Sequence, residues 1–166
     1  MGHYNKLWVN RAYTIGMGQA AQSGKFAQVG IINQSQTAQV AVVRGWTVNT
    51  QSTAFVYFYR AVTAVPGSGT QQPIPIHQPK GTGCVIGFTA APSSGAPAVV
   101  DWAVDPAQGQ QPSWPWNFPV CVLEPGWAFI AIASGADTQL NASFFWEEML
   151  PDELEDWLES LEEHGA

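Results

Sequence analysis

Charge is what this sequence has least of. Asp, Glu, Lys and Arg make up only 11% of its 166 residues, under half of the roughly 25% found in an ordinary soluble domain. The six basic residues, Lys6, Arg11, Lys25, Arg44, Arg60 and Lys80, are spread singly along the chain. Nucleic-acid binding needs a Lys/Arg stripe that displaces phosphate counterions, so that class is excluded. Histidine is equally sparse: His3, His77 and His164 form no pair at metal-ligand spacing, and none lies beside a cysteine. Cys84 and Cys121 sit inside apolar runs without a basic neighbour to lower a thiol pKa. They read as reduced, buried strand residues rather than nucleophiles. No nucleophile elbow, P-loop, dinucleotide fingerprint or calcium loop occurs. Asp101 and Asp105, on one face of a strand, would stand about 13 Å apart by Cα rise, too far for the usual carboxylate pair of glycoside hydrolysis. No apolar run reaches the roughly 18 residues of a membrane span, and Met1–Lys6 is not followed by the apolar run of a secretion signal. The expectation is a non-enzymatic protein with no cofactor, no metal, no membrane partner and no signal peptide.

Apolar residues, in contrast, make up 46% of the chain and aromatics 12%, with eight Trp, sixteen Gly and twelve Pro. Runs rich in Val, Ile, Phe, Tyr and Trp, bounded by Gly, Pro, Ser, Asn and Gln, predict strands at about 25–33, 38–48, 53–64, 83–90, 97–104, 118–124, 127–134 and 138–147. Eight short strands with no helical period between them imply an all-β fold, an antiparallel β-sandwich or jelly roll. The expected division is an N-terminal arm and Gly/Ala/Gln linker over 1–24, the sandwich over 25–148 and an acidic amphipathic helix over 149–166. Residues 7–15 could form a first strand or an extended arm, and Gly16–Gly24 reads as a linker by composition.

The acids are concentrated at the end. Nine of the thirteen Asp and Glu lie between Glu147 and Glu163, whereas residues 1–146 hold six positive and four negative charges. Within this tail Leu150, Leu154, Trp157, Leu158 and Leu161 recur at i, i+4, i+7, i+8 and i+11, one stripe of a helix that Pro151 can open. About fourteen residues are marginal alone in water, so the stripe must be buried. Two burials are open: a groove with a basic rim on a neighbouring protein, or the chain's own sandwich.

Some strands carry bulk on both faces. Phe55, Tyr57 and Tyr59 oppose Val56 and Phe58, and Trp127 and Phe129 oppose Ile130 and Ile132. A sandwich strand covered on both sides implies packing outside the domain, so Phe55, Tyr57 and Tyr59 are expected at a subunit interface. The loop from Pro66 to Lys80 reads as an extended surface excursion. In Gln110–Pro119, prolines hold Trp114, Trp116 and Phe118 in an extended, exposed ridge. That ridge would either dock a subunit or stack on sugar rings, or else plug one end of the sandwich.

The order Phe26–Asn33, Val40–Val48, Leu123-Glu-Pro-Gly-Trp-Ala-Phe-Ile-Ala-Ile132 and Leu140–Glu148 resembles small jelly-roll structural proteins of tailed bacteriophage virions. These share an aliphatic strand ending at Asn, a Pro-Gly turn before the penultimate strand and an aromatic-acidic last strand. The resemblance implies a virion component made in the host cytoplasm, of head-decoration, spike-base or fibre-adaptor type. It implies an oligomer, usually a homotrimer, and it carries over no catalytic residue; the acidic last helix departs from the pattern, and its stripe is the expected contact with other virion proteins. The alternative is a carbohydrate-binding module that reads a host surface glycan through Trp114 and Trp116.

Overall fold

The structure is a computed structural model that describes residues 11–51, 54–62, 69–76, 83–105 and 119–164. Eleven strands run in order among them: β1 Ala12–Gln19, β2 Phe26–Asn33, β3 Val40–Thr50, β4 Val56–Val62, β5 Thr70–Gln71, β6 Ile74–Pro75, β7 Val85–Ala90, β8 Trp102–Val104, β9 Cys121–Leu123, β10 Trp127–Ala136 and β11 Leu140–Met149. One helix, α1, follows at Pro151–His164. The strands form two antiparallel sheets, β6-β1-β11-β3-β9 and β5-β7-β2-β10-β4-β8. The all-β sandwich and its C-terminal helix are therefore as the sequence implies.

Alternation along the strands builds the core between the sheets. Tyr13, Ile15 and Met17 of β1, Leu140, Ala142, Phe144 and Trp146 of β11, and Val43 and Trp46 of β3 face Val29 and Ile31 of β2, Phe129 of β10 and Val56 and Phe58 of β4. At the centre Phe58 packs against Trp46 with ring centroids 4.1 Å apart, and Phe129 meets Phe144 edge to face at 5.8 Å. Each such apolar side chain contributes roughly 1.5–3 kcal/mol by leaving water. An extra residue in β3 opposite Phe145/Trp146 makes a bulge, which is why Val42 and Thr47 both point away from this core although their spacing is odd.

Two features of the sequence fix the ends of strands. Glu124-Pro-Gly-Trp127 closes a turn in which the Trp127 amide donates to the Glu124 carbonyl at 3.0 Å, with Gly126 at φ 86°. Pro at the second position and Gly at the third are what a type II turn requires. Asn33, fully buried, donates its amide to the carbonyls of Gln39 and Leu123, and its Oδ1 accepts from the Ser35 amide. The aliphatic strand ends at Asn because that side chain ties β2 to β9.

The linker expectation is corrected. Residues 16–19 continue β1, which pairs along its whole length with β11, from Ala12 opposite Glu147 to Gln19 opposite Leu140. The glycines mislead on composition, while the buried Tyr13, Ile15 and Met17 keep a strand's period of two. Beyond the expected eight strands come β1 and two short ones, β5 and β6. β5 pairs β7 in one sheet and β6 pairs β1 in the other, so the chain between them crosses the open edge of the sandwich. The expected strand 97–104 shortens to Trp102–Val104.

Candidate functional site

The outer face of the β6-β1-β11-β3-β9 sheet is a grid set by register. Its cross-strand rows are Ala12, Glu147 and Val42; Thr14, Phe145 and Gly45; Gly16, Ser143 and Thr47; and Gly18, Asn141 and Asn49. Helix α1 covers one end. Pro151 opens it, and the Glu153 carboxylate, three residues past Leu150, accepts the Leu150 amide at 2.7 Å, which is the reach-back half of a capping box. The same carboxylate accepts from both terminal nitrogens of the Arg11 guanidinium, at 2.6 and 3.0 Å.

The helical stripe divides between two environments. Trp157, 5% exposed, packs with Val40, Val42 and Met149, and Leu154 and Val122 flank them. Leu150 and Leu158 remain 42% exposed each. Of the two burials open to the stripe, Trp157 and Leu154 take the chain's own sheet. Leu161 lies in α1, but its side chain is outside the described residues. Beneath Trp157 the Arg44 guanidinium sits 4.3 Å from the ring centroid and binds Glu147, with Arg44 Nε 2.8 Å from Oε2. Both side chains are buried, and Arg44 Nη1, Glu147 Oε1 and Trp157 Nε1 have no hydrogen-bond partner among the described residues. A buried pair of this kind fixes geometry more than it stabilises.

Glu148 points to the opposite side of β11. Its buried carboxylate accepts the Cys84 amide at 2.9 Å, the Val85 amide at 3.1 Å and the Trp146 indole N–H at 3.2 Å, joining the two sheets at one edge. Tyr13 stacks on Trp146 beside it. Burial, reinforced by the Glu148 charge, pushes the Cys84 thiol up to about 12, and burial does the same to Cys121. Burial also raises Tyr13, with Glu148 adding to it. A thiol held protonated is no nucleophile at neutral pH. Asp101 is held by Arg60 at 3.0 Å.

On the other sheet, Phe55 is 47% exposed and Tyr57 and Tyr59 are half-buried, while Val56 and Phe58 fill the core, the alternation expected. The apolar residues beside the tyrosines are better covered than a two-faced strand implies. Ile130 and Ile132 are 2% and 1% exposed in a single chain, and the Phe88 ring lies across Gly30, where a Cβ would strike it. The need for outside cover thus narrows to the rim around Phe55 and the tyrosines. Trp114, Trp116 and Phe118 lie outside the described residues.

The uncovered end of the first sheet holds a cleft of about 470 Å³ lined by Gly16, Gly18, Thr47, Asn49, Asn141 and Ser143, with Gln71 at its side. The sequence carries no local signal for it, because Gly16 and Gly18 read as a linker by composition. No cluster of three or more His, Cys, Asp or Glu that could hold a metal occurs among the described residues. Comparison with protein-family models, curated proteins and solved structures gives no match for this chain.

Proposed function

We propose that the chain is a non-enzymatic structural protein of a tailed-phage virion, a jelly roll that assembles as a homotrimer and contacts a neighbouring virion protein through its last helix. The strand order carries this reading. Set aside the excursion β5–β7, and the remaining eight strands lie first-eighth-third-sixth in one sheet and second-seventh-fourth-fifth in the other. That is the order made by wrapping two Greek keys into a jelly roll, an architecture used by viral capsid proteins. The rim of Phe55, Tyr57 and Tyr59 supports self-association, since aromatic side chains are enriched at the centres of protein interfaces. Leu150 and Leu158, exposed among the acids of α1, support a partner groove with a basic rim. The virion assignment rests on the pattern of Phe26–Asn33, the Pro125-Gly126 turn and the aromatic-acidic end of β11.

The test is the mass of the full chain by native mass spectrometry and light scattering. A trimer is expected, and Tyr57→Asp should yield a folded, β-rich monomer by circular dichroism. A wild-type monomer at micromolar concentration overturns the oligomer, and unfolding of the variant assigns the ring to the chain's own core. Antibodies against the chain should label assembled particles, and particles left unlabelled overturn the virion assignment.

A further inference from the structure

We propose that the uncovered half of the β1-β11-β3 face is a binding site for a neutral oligosaccharide. This site is separate from the Trp114/Trp116 ridge and does not depend on the virion reading. The cleft is built from two adjacent rows of the sheet, Gly16-Ser143-Thr47 and Gly18-Asn141-Asn49. Its volume of about 470 Å³ falls in the range of roughly 300–1,000 Å³ typical of ligand sites.

The lining selects the ligand. It contains no ionisable side chain: its polar groups are the amides of Asn49, Asn141 and Gln71 and the hydroxyls of Thr47 and Ser143. Each of these groups can both donate and accept, and so can each hydroxyl of a sugar. A charged ligand would leave water here and meet no counter-charge. The floor is glycine: a Cβ at Gly16 would lie 3.3 Å from Ser143 Oγ, and one at Gly18 would collide with the Asn141 amide. Glycine at both positions lets the Ser143 and Asn141 side chains lie against β1, where their polar atoms face the cleft beside its backbone. One row away, about 7 Å along the strand, the half-buried Phe145, paired in register with Thr14 and Gly45, places an aromatic side chain on the same side of the sheet. Amides and hydroxyls on paired strands, with an aromatic side chain in the next row, form a preorganised platform for a polyhydroxylated ring.

A second copy of the chain fits this face less well. Interface cores are enriched in aromatic residues and depleted in Ser, and the aromatic rim of Phe55, Tyr57 and Tyr59 lies on the other sheet.

The experiment probes the full chain with an array of neutral oligosaccharides of glucose, galactose, mannose and N-acetylglucosamine beside their sialylated and sulfated counterparts, followed by calorimetric titration of the best binder. Saturable binding of a neutral glycan is expected. Asn49→Ala and Asn141→Ala should each weaken it about tenfold, and Gly16→Val, which fills the floor, should abolish it. Asn49 is exposed, so its variant decides the matter even if Gly16→Val disturbs the strand. No binding of any neutral glycan, binding restricted to acidic glycans, or binding untouched by all three substitutions overturns the proposal; the last outcome moves the site elsewhere on the chain.

Discussion

Trp157→Ala is the sharpest probe of how α1 is held. The indole is 5% exposed, lies on Val40, Val42 and Met149 and covers the Arg44 guanidinium at 4.3 Å. Truncating a buried Trp costs about 3–5 kcal/mol, and the lost cation–π contact adds about 0.5–2 kcal/mol. For a chain of this size each kcal/mol lowers Tm by about 2–4 °C, so a fall of about 7–28 °C is expected. Leu158→Ala on the exposed side of the same helix should stay within about 0.5 kcal/mol, a shift of at most about 2 °C. Differential scanning calorimetry at one fixed protomer concentration reads both, the concentration being fixed because an oligomer's Tm depends on it. Circular dichroism at 222 nm adds a second readout, because an undocked helix of this length should melt. Two variants that both melt within about 2 °C of the wild type would refute the docking argument, since the packing that separates them would then carry no energy.

The remaining expectations concern the same edge and the thiols. Truncation after Glu148 removes Met149 and α1 and should lower Tm at least as far as Trp157→Ala; an unchanged Tm would return the helix to a partner. Cys84 and Cys121 should react with a thiol reagent at pH 8 at least about a hundredfold more slowly in the native chain than in denaturant; fast native labelling would contradict their raised pKa. Both thiols hold their proton more tightly folded than unfolded. Their contribution to stability is complete below the unfolded thiol range near 9 and is lost as pH rises towards about 12, so Tm should decline across that window; a flat Tm there would count against the burial. Glu148→Gln should cost about 1–3 kcal/mol by weakening its bonds to two backbone amides and an indole. It should also speed Cys84 labelling, because the charge that helps hold the thiol protonated is gone; unaltered labelling would show that burial alone sets it.

Strands β2, β3, β10 and β11 were legible because their apolar residues alternate or run unbroken between clear turn signals, Asn33 and Pro125-Gly126 among them. β1 was obscured by its glycines, since composition outvoted the period of Tyr13, Ile15 and Met17. The cleft was lost with it, because a site made by absent side chains has no residue to announce it. The fate of α1 was undecidable from periodicity, which shows that a stripe is buried but not against what. Arg44 carries the missing information: a cation in an otherwise aliphatic strand needs an acid and a cover, and Glu147 and Trp157 supply them. That pairing spans more than a hundred positions, and no local pattern encodes it.

Glu147 and Glu148 show how one dipeptide can organise both sides of a sheet. Neighbours on a strand point to opposite faces, so the first acid fastens Arg44 beneath α1 while the second gathers the Cys84 and Val85 amides across the sandwich edge. Counted by sequence they belong to an acidic tail, yet both are buried, and the exposed acidity of the chain's end begins only with α1. The same strand then sets the surface chemistry two residues at a time: Glu147 under the helix, Phe145 in the next row, Ser143 and Asn141 in the open cleft. The helix that starts at Pro151 packs on the Val40, Val42 and Met149 end of this face, and the glycine rows at the other end line the cleft.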